Sequence, residues 1–478
     1  MIAASVHDLR LAFPKSETLL FDGLDLTIEK GEKVLFLGPS GCGKSTLLQV
    51  LSGLFPEVID IPMRTSHATV PQRSGFVFQD PDTQFCMPFV DEELGFVLEN
   101  LQVPRKQMND RIASLLKKVG IKLETLHTPI QHLSQGMKQR LAIASMHALE
   151  ADTLFLDEPT SLLDPEGTAK VWATIKEMSV EKTVIIVEHK IDHILDYVDR
   201  IVLFSDNGMI LADGKPADIW RNHQREIDTY GIWHPSSWSR HLQEATFSPV
   251  NKQGPLHLSL KEWKAWRGKK KVASVEQAHV QGGEWVTIVG ENGAGKSTLL
   301  YALMNLLPTT GTYKVNERSI HGKSPLAGEI GFVFQNPEFQ FVTDRVMDEL
   351  MFLKDPSKEE RALALLDRFD LLDKKDVHPY QLSTGQKRRL SVCTALVGAH
   401  SILMLDEPTF GQDAKNTFSL LQLLETCRAE ETTIVMVTHD EEIVKQYATS
   451  VWTIKGGKQT RIEAGERVDT MKRGVVGE

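Results

Sequence analysis

An internal duplication constrains the fold of this 478-residue chain more than any other sequence feature. Four motifs recur in the same order, and each second copy lies roughly 250 residues after the first. The pairs are Gly38–Leu48 with Gly290–Leu300, Phe76–Phe85 with Phe332–Phe341, Leu133–Leu141 with Leu382–Leu390, and Leu156–Thr160 with Leu405–Thr409. Solenoid repeats are only about 20–50 residues long, so the pattern predicts a tandem duplication of one globular domain.

The duplication sets the expected domain boundaries. We expect a first domain at residues 1–225, a linker at 226–251 and a second domain at 252–478. The linker is polar and contains Pro and Ser, which is typical of a connection between domains. Its two tryptophans, Trp233 and Trp238, are expected to pack on a domain face. Each domain then has the length of a unit that buries its own core.

Secondary-structure patterns in both copies predict an α/β fold. Short β-branched runs alternate with helical patterns, which indicates a mainly parallel sheet flanked by helices. Leucines at a helical spacing follow each glycine-rich loop, and we expect them to pack against the sheet. These leucines are Leu47, Leu51 and Leu54 in the first copy, and Leu299, Leu303 and Leu306 in the second.

The glycine-rich loop of each copy matches GxxxxGK[ST] and lies between an apolar strand and an amphipathic helix. Glycines let the backbone amides approach phosphate oxygens, and the following helix points its positive end at the same anion. Lys44 and Lys296 are expected to reach the β- and γ-phosphates, and Ser45 and Ser297 to ligate Mg²⁺. The predicted ATP-binding loops comprise Gly38, Pro39, Ser40, Gly41, Cys42, Gly43, Lys44, Ser45 and Thr46, and Gly290, Glu291, Asn292, Gly293, Ala294, Gly295, Lys296, Ser297 and Thr298.

A second element in each copy is an apolar strand that ends in two carboxylates. Parallel sheets present their ligands at the carboxyl ends of strands, so these acids are expected to lie beside the phosphate loop. Asp157 and Asp406 are predicted to hold Mg²⁺. Glu158 and Glu407 are predicted to polarise the water that attacks the γ-phosphate.

A histidine follows another apolar strand in each copy. A histidine at a strand end is ordinarily a surface residue. Because His189 and His439 recur after the same element, the repeat predicts a role at the γ-phosphate for both.

The order of phosphate loop, glutamine loop, LSxG signature, LDEP and histidine resembles the ABC-type ATPases over nearly the whole chain. The resemblance implies ATP hydrolysis by two tandem phosphate-loop NTPase domains, each a mainly parallel sheet with a helical signature subdomain. It also implies an intrachain head-to-tail pseudodimer, so that no homodimer is required. Site one would use Ser383 and Gly385 from the second signature, and site two would use Ser134 and Gly136 from the first.

The signatures depart from the family pattern. The first has Gln135 and Met137 where the family favours Gly and Gln, whereas only Thr384 is unusual in the second. Both copies keep the lysine, glutamate and histidine, so two hydrolytic sites are expected. Site two, which the first signature would complete, is expected to be the slower.

The resemblance further implies an aromatic residue that stacks on the nucleotide base ahead of each phosphate loop. Phe13 and Trp266 are the candidates, and Trp263 is an alternative to Trp266.

The glutamine loops FQDPDTQ and FQNPEFQ resemble those of the energising ATPases of energy-coupling factor (ECF) vitamin importers. Gln79 and Gln335 would contact Mg²⁺ and the attacking water, and residues 82–89 and 338–343 would face membrane partners. The expected partners are a transmembrane scaffold subunit and a substrate-binding membrane subunit. A single chain with both ATPases resembles the fused form associated with uptake of the thiamine precursor hydroxymethylpyrimidine.

Composition favours a multidomain cytosolic protein, and the resemblance implies that it acts as a peripheral protein at the cytoplasmic face of the cell membrane. The first residues lack a basic segment followed by an apolar core, so we expect no secretory signal. No apolar run is long enough to span a bilayer, and the four cysteines form no CxxC pair. Its net charge is −10, which disfavours nucleic acid as a partner.

Two alternative functions remain open. Duplicated ATPases also drive sugar importers. The second copy of those ATPases usually loses its catalytic residues, whereas Glu407 and His439 are both present here. A soluble ABC protein acting on ribosomes or nucleic acid is the other alternative. The basic run at 267–271 is its best support, and we interpret that run as a solvated loop.

Overall fold

The computed structural model describes residues 1–14, 18–39, 41–161, 163, 165–249, 254–322, 324–352 and 356–465. The chain forms two compact units. The first contains Met1–Ser237 and Asp413–Lys415, and the second contains Trp238–Gln412 and, as far as it is described, Asn416–Glu478. The division at 237/238 falls within the segment 226–251 that the sequence assigns to a linker. The predicted start of the second domain at Lys252 lies outside the described residues.

The first unit contains an antiparallel sheet and a mainly parallel sheet. The antiparallel sheet has the order β2-β1-β4, with β5 also paired to β1. The other sheet has the order β10-β9-β3-β8-β7-β6, and β10 is its one antiparallel member. The strands are β1 Ile2–Leu11, β2 Phe21–Glu29, β3 Lys33–Leu37, β4 Met63–Arg64, β5 His67–Thr69, β6 Ser74–Val77, β7 Thr153–Asp157, β8 Thr183–Val187, β9 Arg200–Phe204 and β10 Ile210–Gly214.

Helices cover the parallel sheet of the first unit. They are α1 Lys44–Leu51, α2 Leu54–Glu57, α3 Val90–Asn100, α4 Arg105–Lys118, α5 Gln135–Ala148, α6 Pro165–Met178, α7 Pro216–Asn222 and α8 Gln224–Thr229. Short 3₁₀ turns occur at Pro81–Thr83 and Ile130–His132. Helix α9, Ser237–Glu244, follows at the division between the units.

The second unit repeats this architecture as one continuous ten-stranded sheet. Its strand order is β15-β14-β11-β12-β20-β19-β13-β18-β17-β16, in which β19, β13, β18, β17 and β16 are parallel. The strands are β11 Leu256–Arg267, β12 Lys270–Gln281, β13 Trp285–Val289, β14 Thr309–Val315, β15 Arg318–Ser319, β16 Ile330–Val333, β17 Ile402–Asp406, β18 Thr433–Val437, β19 Ser450–Lys455 and β20 Lys458–Ala464.

The helices of the second unit follow the same sequence of elements. They are α10 Lys296–Leu303, α11 Val346–Leu350, α12 Glu359–Arg368, α13 Thr384–Leu396, α14 Ala414–Ala429 and α15 Glu441–Tyr447. Short 3₁₀ turns occur at Pro337–Phe339, Pro356–Lys358, Leu372–Lys374 and Pro379–Gln381. Among the described residues, no helix is long and apolar enough to cross a bilayer.

Of the leucines predicted to pack against the sheet, those within α1 and α10 are buried, and Leu54 at the start of α2 is partly buried. Leu47, Leu51, Leu299 and Leu303 are each at most 1% exposed and pack in the cores. The prediction is wrong for Leu306, which is 60% exposed. Helix α10 ends at Leu303, so the helical spacing no longer directs the Leu306 side chain to the sheet.

The second half of the predicted linker packs on the second unit. Trp238 makes an edge-to-face contact with Phe418, and the ring of His241 stacks on the same phenyl group at 4.1 Å. The His241 Nε2 atom lies 2.6 Å from the hydroxyl oxygen of Tyr447 at the end of α15. Ser248 is also fixed, because its carbonyl accepts a hydrogen bond from the buried guanidinium of Arg428.

Candidate nucleotide sites

The two phosphate loops have nearly the same backbone geometry. Gly43 and Gly295 precede α1 and α10 with φ of 98° and 97°, a left-handed conformation that favours glycine. A Cβ atom at Gly43 would lie 2.7 Å from the Phe21 ring, so a larger residue would also collide. Neither helix start is capped by a side chain, and its backbone N–H groups are directed toward the loop.

The loop lysines span their own loops. The Lys44 ammonium donates to the carbonyls of Gly38 and Pro39 at 2.8 and 2.7 Å. The Lys296 ammonium donates to Gly290 at 2.8 Å and to Glu291 at 3.1 Å. Both side chains are less than 9% exposed, so each places a desolvated cation where phosphate oxygens would approach.

The remaining loop residues have varied exposure. Gly38, Cys42, Thr46 and Ala294 are buried, Pro39, Ser45, Gly290, Ser297 and Thr298 are partly buried, and Gly41, Glu291, Asn292 and Gly293 are exposed. Ser40 lies outside the described residues. Cys42 is only 1% exposed, with its Sγ atom 3.7 Å from the Lys44 ammonium.

The groups predicted to hold Mg²⁺ fit that ion. In the first unit the Ser45 hydroxyl donates to Asp157 at 2.8 Å, and burial raises the pKa of Asp157 to about 6. In the second unit both carboxylate oxygens of Asp406 are buried, burial raises the pKa of Asp406, and the neighbouring Ser297 hydroxyl acts in the opposite sense. A buried acid of this kind is well suited to a hard cation, which usually takes one or two carboxylates together with substrate phosphates.

Both predicted catalytic glutamates have a strained backbone. Glu158 and Glu407 have φ of 45° and 51°, which is unusual for a residue with a side chain. Their amides donate to Val187 and Val437 at 2.8 and 3.0 Å. These bonds to the adjacent strand hold each glutamate in place just beyond the carboxyl end of its own strand.

In the first unit Gln79, Glu158 and His189 form one connected group. The Gln79 amide donates to Glu158 at 2.7 Å, and Nε2 of His189 lies 2.9 Å from the other carboxylate oxygen. Burial alone would raise the pKa of Glu158, but the facing imidazole, the Lys44 ammonium and the Gln79 amide together outweigh burial and lower that pKa. The same contact raises the pKa of His189 against the effect of burial. The pair therefore favours a carboxylate facing an imidazolium.

The second unit brings the equivalent residues together less closely. Nε2 of His439 lies 3.4 Å from Glu407, and burial followed by the charge of Asp406 raises the pKa of Glu407 to about 8. Gln335 is exposed and has no hydrogen bond to a described residue. The glutamine does not join the glutamate here, in contrast to the first unit.

Sequence reasoning missed two charged residues beside these groups. Glu188, directly before His189, is 4% exposed, and Thr438 takes its place before His439. Arg388 is 8% exposed near Glu407, and Gln139 takes its place in the first unit. Charge also differs between the copies at Pro39 and Glu291 and at Asp80 and Asn336, so the alignment of the two copies gave no signal that singled out Glu188 or Arg388.

The signature serines cap helices. Ser134 and Ser383 are the N-caps of α5 and α13, and each hydroxyl accepts the amide of the residue three positions later at 3.3 Å. In α13 the Gln386 side chain returns a bond by accepting from the Ser383 amide at 2.9 Å, which completes a capping box. Met137 cannot return that bond in α5. Gly136 and Gly385 lie in the first turns behind these caps.

The aromatic candidates differ in exposure. Phe13 is 46% exposed, whereas Trp266 is partly buried and its indole donates to the Thr310 hydroxyl at 3.2 Å. Trp263 is fully buried beside Tyr313. The structure therefore removes Trp263 as an alternative, because a core side chain cannot stack on a nucleotide base.

Two phosphate loops with strand-end carboxylates and a capping signature serine define a tandem phosphate-loop ATPase. The chain belongs to the ABC transporter family, whose profile matches residues 21–161 and 275–410. It binds and hydrolyses ATP, as expected from the resemblance described above.

Similar proteins span nearly the whole chain. It is 36% identical to the candidate HMP/thiamine import ATP-binding protein YkoD of Bacillus subtilis (strain 168), over 94% of this chain and 89% of that protein. It is 34% identical to a candidate ABC transporter ATP-binding protein of Sulfurisphaera tokodaii, over 95% and 96%. A solved archaeal ribosome recycling factor, aABCE1, has a TM-score of 0.64 at 21% identity, with 95% and 89% covered, and shares the fold.

Proposed function

We propose that this chain is the ATPase subunit that energises an ECF-type membrane importer, and that its cargo is the hydroxymethylpyrimidine precursor of thiamine or thiamine itself. The observation that carries the proposal is the similarity to YkoD along the length of both chains. The chain then acts at the cytoplasmic face of the membrane. Its partners are a transmembrane scaffold and a substrate-binding membrane subunit.

Equivalent ion pairs in the two units support mechanical coupling between each glutamine loop and the signature helix of the same unit. Lys138 of α5 lies 2.7 Å from Asp82 of the 3₁₀ turn that follows Gln79. Lys387 of α13 lies 2.6 Å from Glu338 of the equivalent turn in the second unit. Both lysines are mostly buried, so each turn and its signature helix are expected to move together.

The surfaces beside these turns support a docking role. In the second unit Phe339 and Val342 are 70% and 66% exposed within the segment predicted to face the membrane subunits. Exposed large apolar side chains that lie close together are typical of interaction surfaces. The first unit presents Asp82, Thr83 and Cys86 in the corresponding segment. The two units therefore offer different surfaces, which suits a scaffold with two unlike contact regions.

Hydrolysis follows from the groups already described. Backbone amides at the starts of α1 and α10 and the two lysines bind the phosphates, and Mg²⁺ at Asp157 and Asp406 supplies charge neutralisation when bound. Glu158 and Glu407 then orient the water, while His189 and His439 contact the γ-phosphate. The signature serine of the other copy completes each site, so that ATP favours the closed state and hydrolysis releases it.

Co-purification from the native host tests the importer proposal. The tagged chain is purified from detergent-solubilised membranes, and the accompanying chains and their bound small molecules are identified by mass spectrometry. Recovery of one polytopic scaffold and one small membrane protein carrying a pyrimidine or thiamine ligand is expected. A sugar-binding partner would replace the cargo assignment, and ribosomal proteins without membrane chains would overturn the importer while leaving the ATPase in place.

A matched pair of variants makes that test specific. Asp82→Lys and Glu338→Lys reverse one member of each ion pair without touching a phosphate loop. Loss of the membrane partners from either variant, with ATP binding retained, would support docking through the glutamine-loop turns. Retention of the partners by both variants would contradict it.

A further inference from the structure

Glu188 is a buried acid at the first nucleotide site that has no counterpart in the second. It follows β8 directly and is 4% exposed. A carboxyl group at this depth is costly unless its oxygens have partners. Its surroundings therefore indicate why it is tolerated.

The Glu188 side chain joins two segments of the site. One carboxyl oxygen accepts the Thr160 hydroxyl at 2.9 Å, and the other accepts the His189 backbone amide at 3.1 Å. Thr160 is 5% exposed and lies two residues after Glu158. Because His189 in turn lies 2.9 Å from Glu158, these four residues close a ring of contacts around the glutamate and the histidine.

The second unit lacks this ring. Thr438 occupies the equivalent position, and its hydroxyl accepts the Asp440 amide at 3.1 Å within the same turn. The His439–Glu407 separation is 3.4 Å, compared with 2.9 Å in the first unit. The closer contact thus occurs in the copy that has the additional carboxyl group.

We propose that Glu188 is a positioning residue for ATP hydrolysis at the first site: it ties the backbone of His189 to the segment after Glu158 and holds the histidine against the glutamate. This arrangement of contacts around Glu188 occurs in the first copy and not in the second. It makes the two sites chemically unequal even though their phosphate loops match.

Electrostatics point in the same direction. Burial and the nearby Glu158 raise the pKa of Glu188 to about 7, while Thr160 and His189 act in the opposite sense. The charged groups around His189 are Glu158, Lys44 and Glu188. Glu188 in its ionised form raises the pKa of His189. Loss of the carboxyl group is therefore expected to make the imidazolium form of His189 less favourable.

Histidine titration by NMR tests the positioning role without turnover. The full chain with ¹³C-labelled histidine is compared as wild type, Glu188→Gln and Glu188→Thr, and His189→Gln assigns the signal. We expect the midpoint of His189 to fall by about 0.5 pH unit or more in both Glu188 variants. Thr438→Val is the matched control and should leave it unchanged. An unchanged His189 midpoint in both Glu188 variants would overturn the proposal.

Turnover gives a second, independent readout. In a Glu407→Gln background, Glu188→Gln is expected to lower kcat about tenfold and to shift the acid limb of the pH profile, with KM for ATP within about twofold. In a Glu158→Gln background, the same change should have little effect. An equal loss in both backgrounds would indicate general destabilisation and contradict the proposal. The ATPase reaction is the object of this test, so its outcome does not depend on the importer.

Discussion

Glu158 and Glu407 occupy the same position in two copies of LDEP, yet their surroundings give them different charges. A glutamine and an imidazole contact Glu158, whereas Glu407 lies beside a buried aspartate and has a raised pKa. Both residues have a positive φ, so the two copies share the backbone geometry at this position although the charge of the side chain differs. We therefore expect two working sites with unequal properties.

Single replacement of each glutamate measures how activity is divided between the sites. We expect Glu158→Gln to lower ATPase activity more than Glu407→Gln does, and the double variant to lower it about 100-fold or more, because each change removes the group that orients water. Steady-state phosphate release provides the measurement, and nucleotide-binding assays verify that ATP still binds. Full activity in Glu158→Gln alone would show that the first site does not hydrolyse ATP.

At the residue scale, local motifs could be predicted and tertiary neighbours could not. The phosphate loops follow from glycine spacing, because the chemistry of phosphate binding lies within nine consecutive residues. Glu188 and Arg388 became visible only after folding brought separate segments together. Trp263 was a fair alternative by position, but alternation along β11 directs it into the core.

Helix α5 differs from its counterpart α13 at one residue of the cap. Gln386 closes a capping box on Ser383, and Met137 leaves Ser134 with a single bond. We expect Met137→Gln to stabilise the start of α5 by about 0.5–1 kcal/mol, because it satisfies one more backbone amide. Hydrogen exchange of the amides at 134–138 measures the effect. Gln386→Met is the reverse control and should loosen α13 by a similar amount; unchanged protection in both would show that the cap contributes nothing.

The segment after α8 lies beside the first phosphate loop. Trp233 and Ile232 line a small cleft together with Lys44, Glu188 and His189. ATP binding is expected to change the emission of Trp233, because the environment of Lys44 and His189 changes when phosphate approaches. Fluorescence titration with ATP should therefore show a change that Trp233→Phe removes and Trp238→Phe retains. The same change in Trp233→Phe would place the responsive tryptophan elsewhere.

At the element scale, the sequence predicts the alternation of strands and helices but not where every helix stops. The leucine spacing continues past the end of α10, so Leu306 looked like a core residue although it is exposed. The linker was predicted from its polarity and its Pro and Ser content. Aromatic residues separated by three positions, Trp238 and His241, were the signal that part of it would fold as α9.

At the scale of the whole molecule, residues 238–249 of the connection between the copies fold as part of the second unit. Stacking on Phe418, contact with Tyr447 and the bond from Arg428 to Ser248 fix it. Tyr447 ends the helix that begins two residues after His439. The segment that joins the copies therefore packs on the helix that follows His439, the histidine predicted to contact the γ-phosphate.

The stability of that attachment should depend on pH through His241. Burial lowers the pKa of His241 to about 4, whereas the unfolded chain has the ordinary value near 6.5. Between these values the unfolded state binds more protons, so the free energy of unfolding falls as pH decreases from about 6.5 toward 4. The full contribution is about 3 kcal/mol and is present above pH 6.5. Urea unfolding of the full chain at pH 5 and pH 7.5 measures it.

His241→Phe isolates this effect from that of the other histidines. The phenyl ring can still stack on Phe418, but it does not titrate, so the loss of stability between pH 7.5 and pH 5 should be about 2 kcal/mol smaller than in the wild type. At pH 7.5 the variant should lose about 1 kcal/mol, because the Tyr447 hydroxyl no longer has its partner. An equal pH dependence in both proteins would mean that His241 becomes protonated without releasing α9. In that case Trp238 and the Arg428–Ser248 bond, rather than the histidine, hold the connection on the second unit.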